Sequence, residues 1–286
     1  MQTILIPTDF SDTAKHAAEY GYHIAAQIHA NVVLCNAIII AAEIPQTGMS
    51  VWPIEEYDEQ IKESQKELNL LKAGLAGNEV TDSKKPLIIC KNEAGILTTV
   101  VNGIIASQPI GLVVIGTHRT GGIGQFLLGN HTRNMIDGIA KPLLIIPGSA
   151  TIATPKKIAF ATDFKNPEDD LDTLFWLVSL AKPLKAEILI THICSEKAHT
   201  AELQHLIDEF MVNISNKANY PNIFYRKVTH DQISEGLDWL CEYGEIDMLA
   251  MVHRSRNFFE NIFKGSHTQK MASRISIPLL VLPGSW

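Results

Sequence analysis

The sequence predicts a duplicated α/β protein with two doubly wound domains, each built on a five-stranded, mostly parallel sheet. Three observations predict it. Short apolar runs rich in β-branched residues alternate with stretches of helical periodicity, the pattern of parallel strands covered on both faces. Residues 129–149, GNHTRNMIDGIAKPLLIIPGS, recur as residues 265–285, GSHTQKMASRISIPLLVLPGS, with His131 matching His267 at an offset of 136 (267 − 131). Finally, 286 residues of 46% hydrophobic content exceed one ordinary core and suit two.

The elements follow in order. Thr3 to Ile6 reads as a strand ending at Pro7-Thr8-Asp9, and Ser11 opens a helix with Ala14, Ala17, Ala18, Gly21, Ile24, Ala25 and Ile28 on one face. Val32 to Ile38 reads as the second strand, residues 86–90 as the third, Leu112 to Ile115 as the fourth and Leu143 to Ile146 as the fifth. Tyr57, Ile61, Ser64, Leu68 and Leu71 mark a long helix, and Leu97, Val100, Val101, Ile104 and Ile105 a shorter one. The second half restarts at Lys157 to Ala161, and its Thr162-Asp163-Phe164 matches Thr8-Asp9-Phe10. Asn166 is placed to cap the next helix, Pro167 suits its first turn, and Glu168, Asp169 and Asp170 complement the positive end of its dipole. Strands are expected at 188–194, 223–228, 248–252 and 279–282. GSATIATP, residues 148–155, reads as a linker, which places the domains at 1–148 and 156–286.

The offset between halves drifts. Ala37 aligns with Ile193 at 156 (193 − 37) and Gly116 with Met251 at 135 (251 − 116), so the first half carries roughly 21 more residues between its second and fourth strands. The excess is assigned to AAEIPQTGMSVWPIEE, residues 41–56, and the start of the following helix; Trp52 within it is read as packing locally.

Composition excludes several functions. With 24 Lys+Arg against 31 Asp+Glu, a formal net charge of −7 does not suit a protein that coats nucleic acid or acidic lipid. No run approaches the ~20 apolar residues of a spanning helix, and the N-terminal segment lacks the features of a secretory signal. Cys35, Cys90, Cys194 and Cys241 show no C-x-x-C spacing and read as small core residues of a reducing cytoplasm.

In an open parallel sheet, ligands sit beyond the carboxyl ends of the strands where strand order reverses. Two loops qualify. Pro7-Thr8-Asp9 follows the first strand, and its carboxylate suits hydrogen bonds from a ribose or a base, or a cap on its own turn. The glycine-rich connection GTHRTGGIGQFLLGNHT, residues 116–132, joins the fourth strand to the last helix of the half. It matches neither a Walker loop nor a dinucleotide fingerprint. Gly129 permits close backbone approach, and the free amides of Asn130, His131 and Thr132 form a helix start that attracts phosphate. In the second half, Ser266 to Gln269 reads as a capping box. His118 and His253, and likewise His131 and His267, are read as equivalent pairs that bond at helix ends; no metal-ligand spacing accompanies them. No nucleophile has an evident base, so no catalytic residue is assigned.

On these residues the chain resembles the universal stress proteins, as a tandem pair. The resemblance rests on the opening strand-Pro-Thr-Asp, the glycine-spaced loop and the closing Pro-Leu-Leu-Ile-Ile strand, and covers nearly the whole length. It implies an adenine nucleotide alpha hydrolase-like fold in each half, a pseudo-twofold between the halves, and pairing of Leu143 to Pro147 with Leu279 to Pro283. Nucleotide-binding members show Gly-x2-Gly-x9-Gly-Ser/Thr; here Arg119 replaces the second glycine and Asn130 the Ser/Thr. Carried over, the pattern sets Pro7, Thr8 and Asp9 near ribose and adenine, Ala37 and Ile115 against the base, and Gly116, Gly129, Asn130, His131 and Thr132 around ribose and phosphates, with Arg119 either obstructing phosphate or clamping it. The second half departs further: Met251 for the first glycine, Arg254 for the second, an added residue before Gly265, and Ala161 before Thr162. The function implied is a cytoplasmic stress protein that binds ATP or another adenine nucleotide in its first half without efficient turnover, with the magnesium requirement open and homo-oligomeric assembly allowed. The alternatives are a non-nucleotide-binding interaction module and a slow ATP-hydrolysing or phosphotransfer enzyme.

Overall fold

A computed structural model describes residues 3–39, 54–77, 85–117, 130–254 and 276–284, with backbone alone for 54–57 and 130. Trp52, His118, Arg119, Gly129 and the segment Ser266 to Gln269 lie outside the described residues.

The first half runs β1 (Thr3–Pro7), α1 (Asp12–Gln27), β2 (Asn31–Ile38), α2 (Ile54–Gly77), β3 (Ile88–Ala94), α3 (Leu97–Ser107), β4 (Leu112–Thr117), α4 (Asn130–Gly138) and β5 (Leu143–Pro147). The second runs β6 (Lys157–Ala161), α5 (Pro167–Leu184), β7 (Glu187–Cys194), α6 (Ala201–Lys217), β8 (Ile223–Thr229), α7 (Ile233–Tyr243), β9 (Met248–His253) and β10 (Leu279–Pro283). Helix starts follow local chemistry. Ser11 caps α1 by accepting from Ala14 N, and Thr200 caps α6 by accepting from Leu203 N. Asn166 holds the cap position of α5 but makes no cap hydrogen bond, leaving Pro167 and the acidic first turn to set the start.

The strands form one ten-stranded sheet in the order β3-β2-β1-β4-β5-β10-β9-β6-β7-β8. Every neighbouring pair is parallel except β5 and β10, which join antiparallel with Leu144 opposite Leu280. The repeat offset of 136 (280 − 144) maps one of these leucines onto the other. The pseudo-twofold therefore passes between them, and the expected pairing of the closing strands is what joins the halves. Two apolar layers run through both halves: β-strand side chains under α1, α2, α5 and α6 on one face, and under α3, α4 and α7 on the other.

Ladder register corrects the alignment of the halves. Ile4 in β1 lies beside Leu112, and its counterpart Ile158 in β6 lies beside Met248, an offset of 136 (248 − 112). Gly116 thus corresponds to Val252, Thr117 to His253 and His118 to Arg254. No residue is added before Gly265. The His-Arg dipeptide at 118–119 and 253–254 draws a sequence match one position out of the register that backbone hydrogen bonds set. The offset is 156 at β2 (188 − 32) and 135 at β3 (223 − 88), so the excess of 21 (156 − 135) falls wholly between the second and third strands.

Candidate ligand sites at the strand-order reversals

Strand order reverses twice, between β1 and β4 and between β6 and β9. At each point the chain leaves β1 or β6 through the same turn. Thr8 is buried; its hydroxyl accepts from Phe10 N at 3.0 Å, its amide donates to the Cys35 carbonyl at 2.8 Å, and Phe10 takes a positive φ of 64°. Thr162 accepts from Phe164 N at 3.0 Å, and Phe164 has φ 55°. A left-handed phenylalanine is uncommon and held only by its surroundings. The Thr8 carbonyl accepts from Asn36 Nδ2 at 2.7 Å, while the Thr162 carbonyl accepts from His192 Nδ1–H at 2.9 Å. The turn thus has the same scaffold and a different side-chain anchor in each half.

At the first reversal, Asp9 is exposed and its Oδ1 accepts from Ser11 N at 3.1 Å and Ser11 Oγ at 2.6 Å, so it does cap its own turn. Pro7 is buried, Ala37 half-buried and Ile115 buried, the last two facing the layer under α3 and α4. Gly116 serves α1 directly: a Cβ there would collide with the Thr13 carbonyl, and one on Gly21 would sit 2.7 Å from Ile6 Cδ1. Two glycines and the alanine face let α1 seat on β4. Helix α4 starts at Asn130, with His131 exposed and Thr132 buried. A polar link that sequence reading missed ties the neighbouring elements: Ser64 Oγ lies 2.9 Å from Asn36 Oδ1 and 2.6 Å from Asn92 Oδ1. Its signal was Ser64 on the apolar face of an otherwise leucine-lined helix.

At the second reversal, a charge clamp ties the end of β9 to the turn after β6 and to α5. Arg254 Nη1 donates to Asp163 Oδ1 at 2.8 Å and Nη2 to Asp170 Oδ1, while Thr162 Oγ1 donates to Asp170 Oδ2 at 2.5 Å. Lys165 Nζ lies 3.2 Å from Asp163 Oδ2. Asp170 is fully buried, and burial pushes its carboxyl above the usual range. Burial also opposes ionisation of Asp163, yet hydrogen bonds from Lys165 and the charges of Lys165 and Arg254 hold it below that range. Asp170 was read only as a dipole partner of α5; the residue at its place in the first half, Ala14, conceals the difference. His253, on the pseudo-symmetric place of Thr117, reaches across the seam to the carboxylate of Asp137 in the last turn of α4, at 3.2 Å from Oδ1.

Two doubly wound units, each with its own strand-order reversal and joined by their last strands, define a tandem α/β protein. The chain belongs to the universal stress protein family, whose model matches residues 1–147 and again 154–283. It is similar in fold to a universal stress protein from Archaeoglobus fulgidus DSM 4304 (17% identity, TM-score 0.70, 99% of this chain and 98% of that one). It is likewise similar to a putative universal stress protein from Pseudomonas aeruginosa UCBPP-PA14 (11%, 0.58, 99% and 93%). The cytoplasmic domain of a prokaryotic cation chloride cotransporter also shares the fold (10%, 0.58, 99% and 96%). Comparison with curated protein sequences returns no match. Among the described residues no helix is long and apolar enough to cross a membrane.

Proposed function

We propose that this universal stress protein binds an adenine nucleotide, ATP foremost, at the first reversal and acts in stress response or signalling without turning it over. The observation that carries this reading is the place of Asp9, an exposed carboxylate in the turn that follows β1 at the first reversal, where Ser11 N and Oγ orient its Oδ1; the matching Asp163 is bonded by Arg254 and Lys165. An exposed carboxylate at a switch point accepts hydrogen bonds from ribose hydroxyls or a base amino group. The start of α4 at Asn130 to Thr132, with Gly129 before it and Arg119 in the same loop, offers amides to phosphates. Four free cysteines suit the reducing cytoplasm. Engagement of Asp163 favours an interaction role for the second half over a second nucleotide site.

Calorimetric titration of the full chain with ATP tests this. One site per chain is expected, weakened ~10-fold or more by Asp9→Ala or Gly129→Val, since a hydrogen bond to a charged group contributes ~1.5–3 kcal/mol. Asp163→Ala and Gly265→Val leave it unchanged. Two equal sites, or none, overturn the reading. Transfer of the γ-phosphate needs charge stabilisation and an oriented water. With neither a Walker lysine nor an assigned base, wild-type protein with ATP and magnesium should release phosphate no faster than the Arg119→Ala, His131→Ala double variant.

A further inference from the structure

The clamp at the second reversal does not fill the space beside it. A cavity of about 610 Å³ opens there, within the range of small-molecule sites. Three replacements set this region apart from its counterpart in the first half. Val252 stands where the first half has Gly116, Leu177 where it has Gly21, and Asp170 where it has Ala14. These side chains hold α5 off β9, whereas α1 seats on β4. One wall is apolar, formed by Ile193, Leu237 and Met251, all buried in the layer under α7. Thr191, Ser234 and the exposed carboxylate of Asp231 supply polar groups.

Charge decides what this space accepts. Asp163, Asp170 and Asp231 line it against Lys165 and Arg254, a formal net charge of −1 among the described lining residues. Both Nη atoms of Arg254 already bind carboxylates, and Lys165 pairs with Asp163. Among the described residues, a phosphate or carboxylate entering would meet no uncommitted cation and would have to break a pair whose buried partner, Asp170, has no access to water. We infer that the cavity of the second half is a separate binding site for a partly apolar small molecule that carries no negative charge, with the Asp163–Arg254–Asp170 clamp as the determinant that turns anions away. The two halves then read chemically opposite ligands through one fold.

The test uses the full chain with labelled methionine and isoleucine methyl groups and a fragment set of matched heteroaromatic alcohols, amines and carboxylates. Alcohols and amines are expected to shift the Met251 and Ile193 methyl signals, with carboxylates ~10-fold weaker or absent. Asp231→Lys, an exposed change that spares the core, should bring the carboxylates up severalfold and the amines down. Ser234→Trp at the half-buried rim should remove all fragment binding while ATP binding measured by calorimetry stays as in the parent chain. Carboxylates binding as well as amines, or no fragment moving either methyl signal, overturns the inference. Neither outcome bears on the first-half nucleotide reading, whose readout is separate.

Discussion

Asp170 and Arg254 show how one residue position reverses the character of a site. An alanine at the place of Asp170 needs nothing from its surroundings; a carboxylate there is fully buried and must be matched by the guanidinium and by Thr162 Oγ1. Removing one partner strands the other, so Asp170→Ala or Arg254→Ala should cost about 3 kcal/mol in urea denaturation. Lys165→Ala, whose side chain is 80% exposed, should cost almost nothing. The two carboxylates also answer pH differently. Asp163 titrates below the usual carboxylate range in the folded chain, so it contributes stability that is present above its unfolded pKa and lost as pH falls through the folded one. Asp170 titrates higher when folded and takes its proton first on acidification, which by itself favours the native state at low pH. Denaturation midpoints measured from neutral pH down to about 3 should therefore lose part of their acid decline in Asp163→Asn and keep it in Asp170→Asn.

At the scale of the element, the first helix of each half differs in how closely it can approach the sheet. Helix α1 presents Ala14, Ala17, Ala18, Gly21 and Ala25, all buried, and Gly116 on β4 meets the Thr13 carbonyl. Helix α5 presents Asp170, Thr173, Leu174, Leu177 and Ala181, and stands further out. The obstacle at Gly116 is backbone, which has no rotamer with which to yield. Gly116→Ala should accordingly destabilise the chain by ~1–3 kcal/mol and weaken nucleotide binding through displacement of α1 and the Asp9 turn. Protection of α1 amides against hydrogen exchange reports that displacement separately from binding. Both helices end the same way, with His29 and Lys185 in the left-handed region at φ 56°, a place glycine usually takes.

For the whole molecule, the seam between β5 and β10 carries the assembly. Leu143, Leu144, Ile145, Ile146, Leu279, Leu280, Val281 and Leu282 are each at most 3% exposed. Full burial of such side chains contributes ~1.5–3 kcal/mol apiece relative to exposure, and separated halves would lose the share of that burial which the partner half supplies. The linker is fastened as well: His16 Nε2–H donates to the Ala150 carbonyl at 2.8 Å, and His23 Nε2 bonds Thr154 Oγ1 at 2.9 Å. His253 and Asp137 add a polar contact across the seam. Residues 1–148 and 156–286, expressed separately, should dimerise or aggregate in light-scattering measurements because each exposes an unpaired apolar edge strand. Two monodisperse monomers would count against the seam as the organising contact.

Sequence alone determined the strand-helix alternation, the duplication and the position of the reversal turns, while the pairing of the closing strands was implied by the family resemblance. The first three follow from local periodicity, turn chemistry and repeated short stretches, which act over a few residues and are written in the chain. The register between halves was not legible, because the repeated His-Arg pair offers a better local match than the position that the β1–β4 and β6–β9 ladders enforce. Nor was the clamp, since Asp163, Asp170 and Arg254 are brought together only when β6, α5 and β9 pack. Asp170 looked like one acid among three in a helix's first turn, and only its burial separates it from Glu168 and Asp169, which remain exposed. Spacing along the chain records what each residue can do, but the charge balance of a cavity depends on which residues share it, and that is decided by tertiary packing.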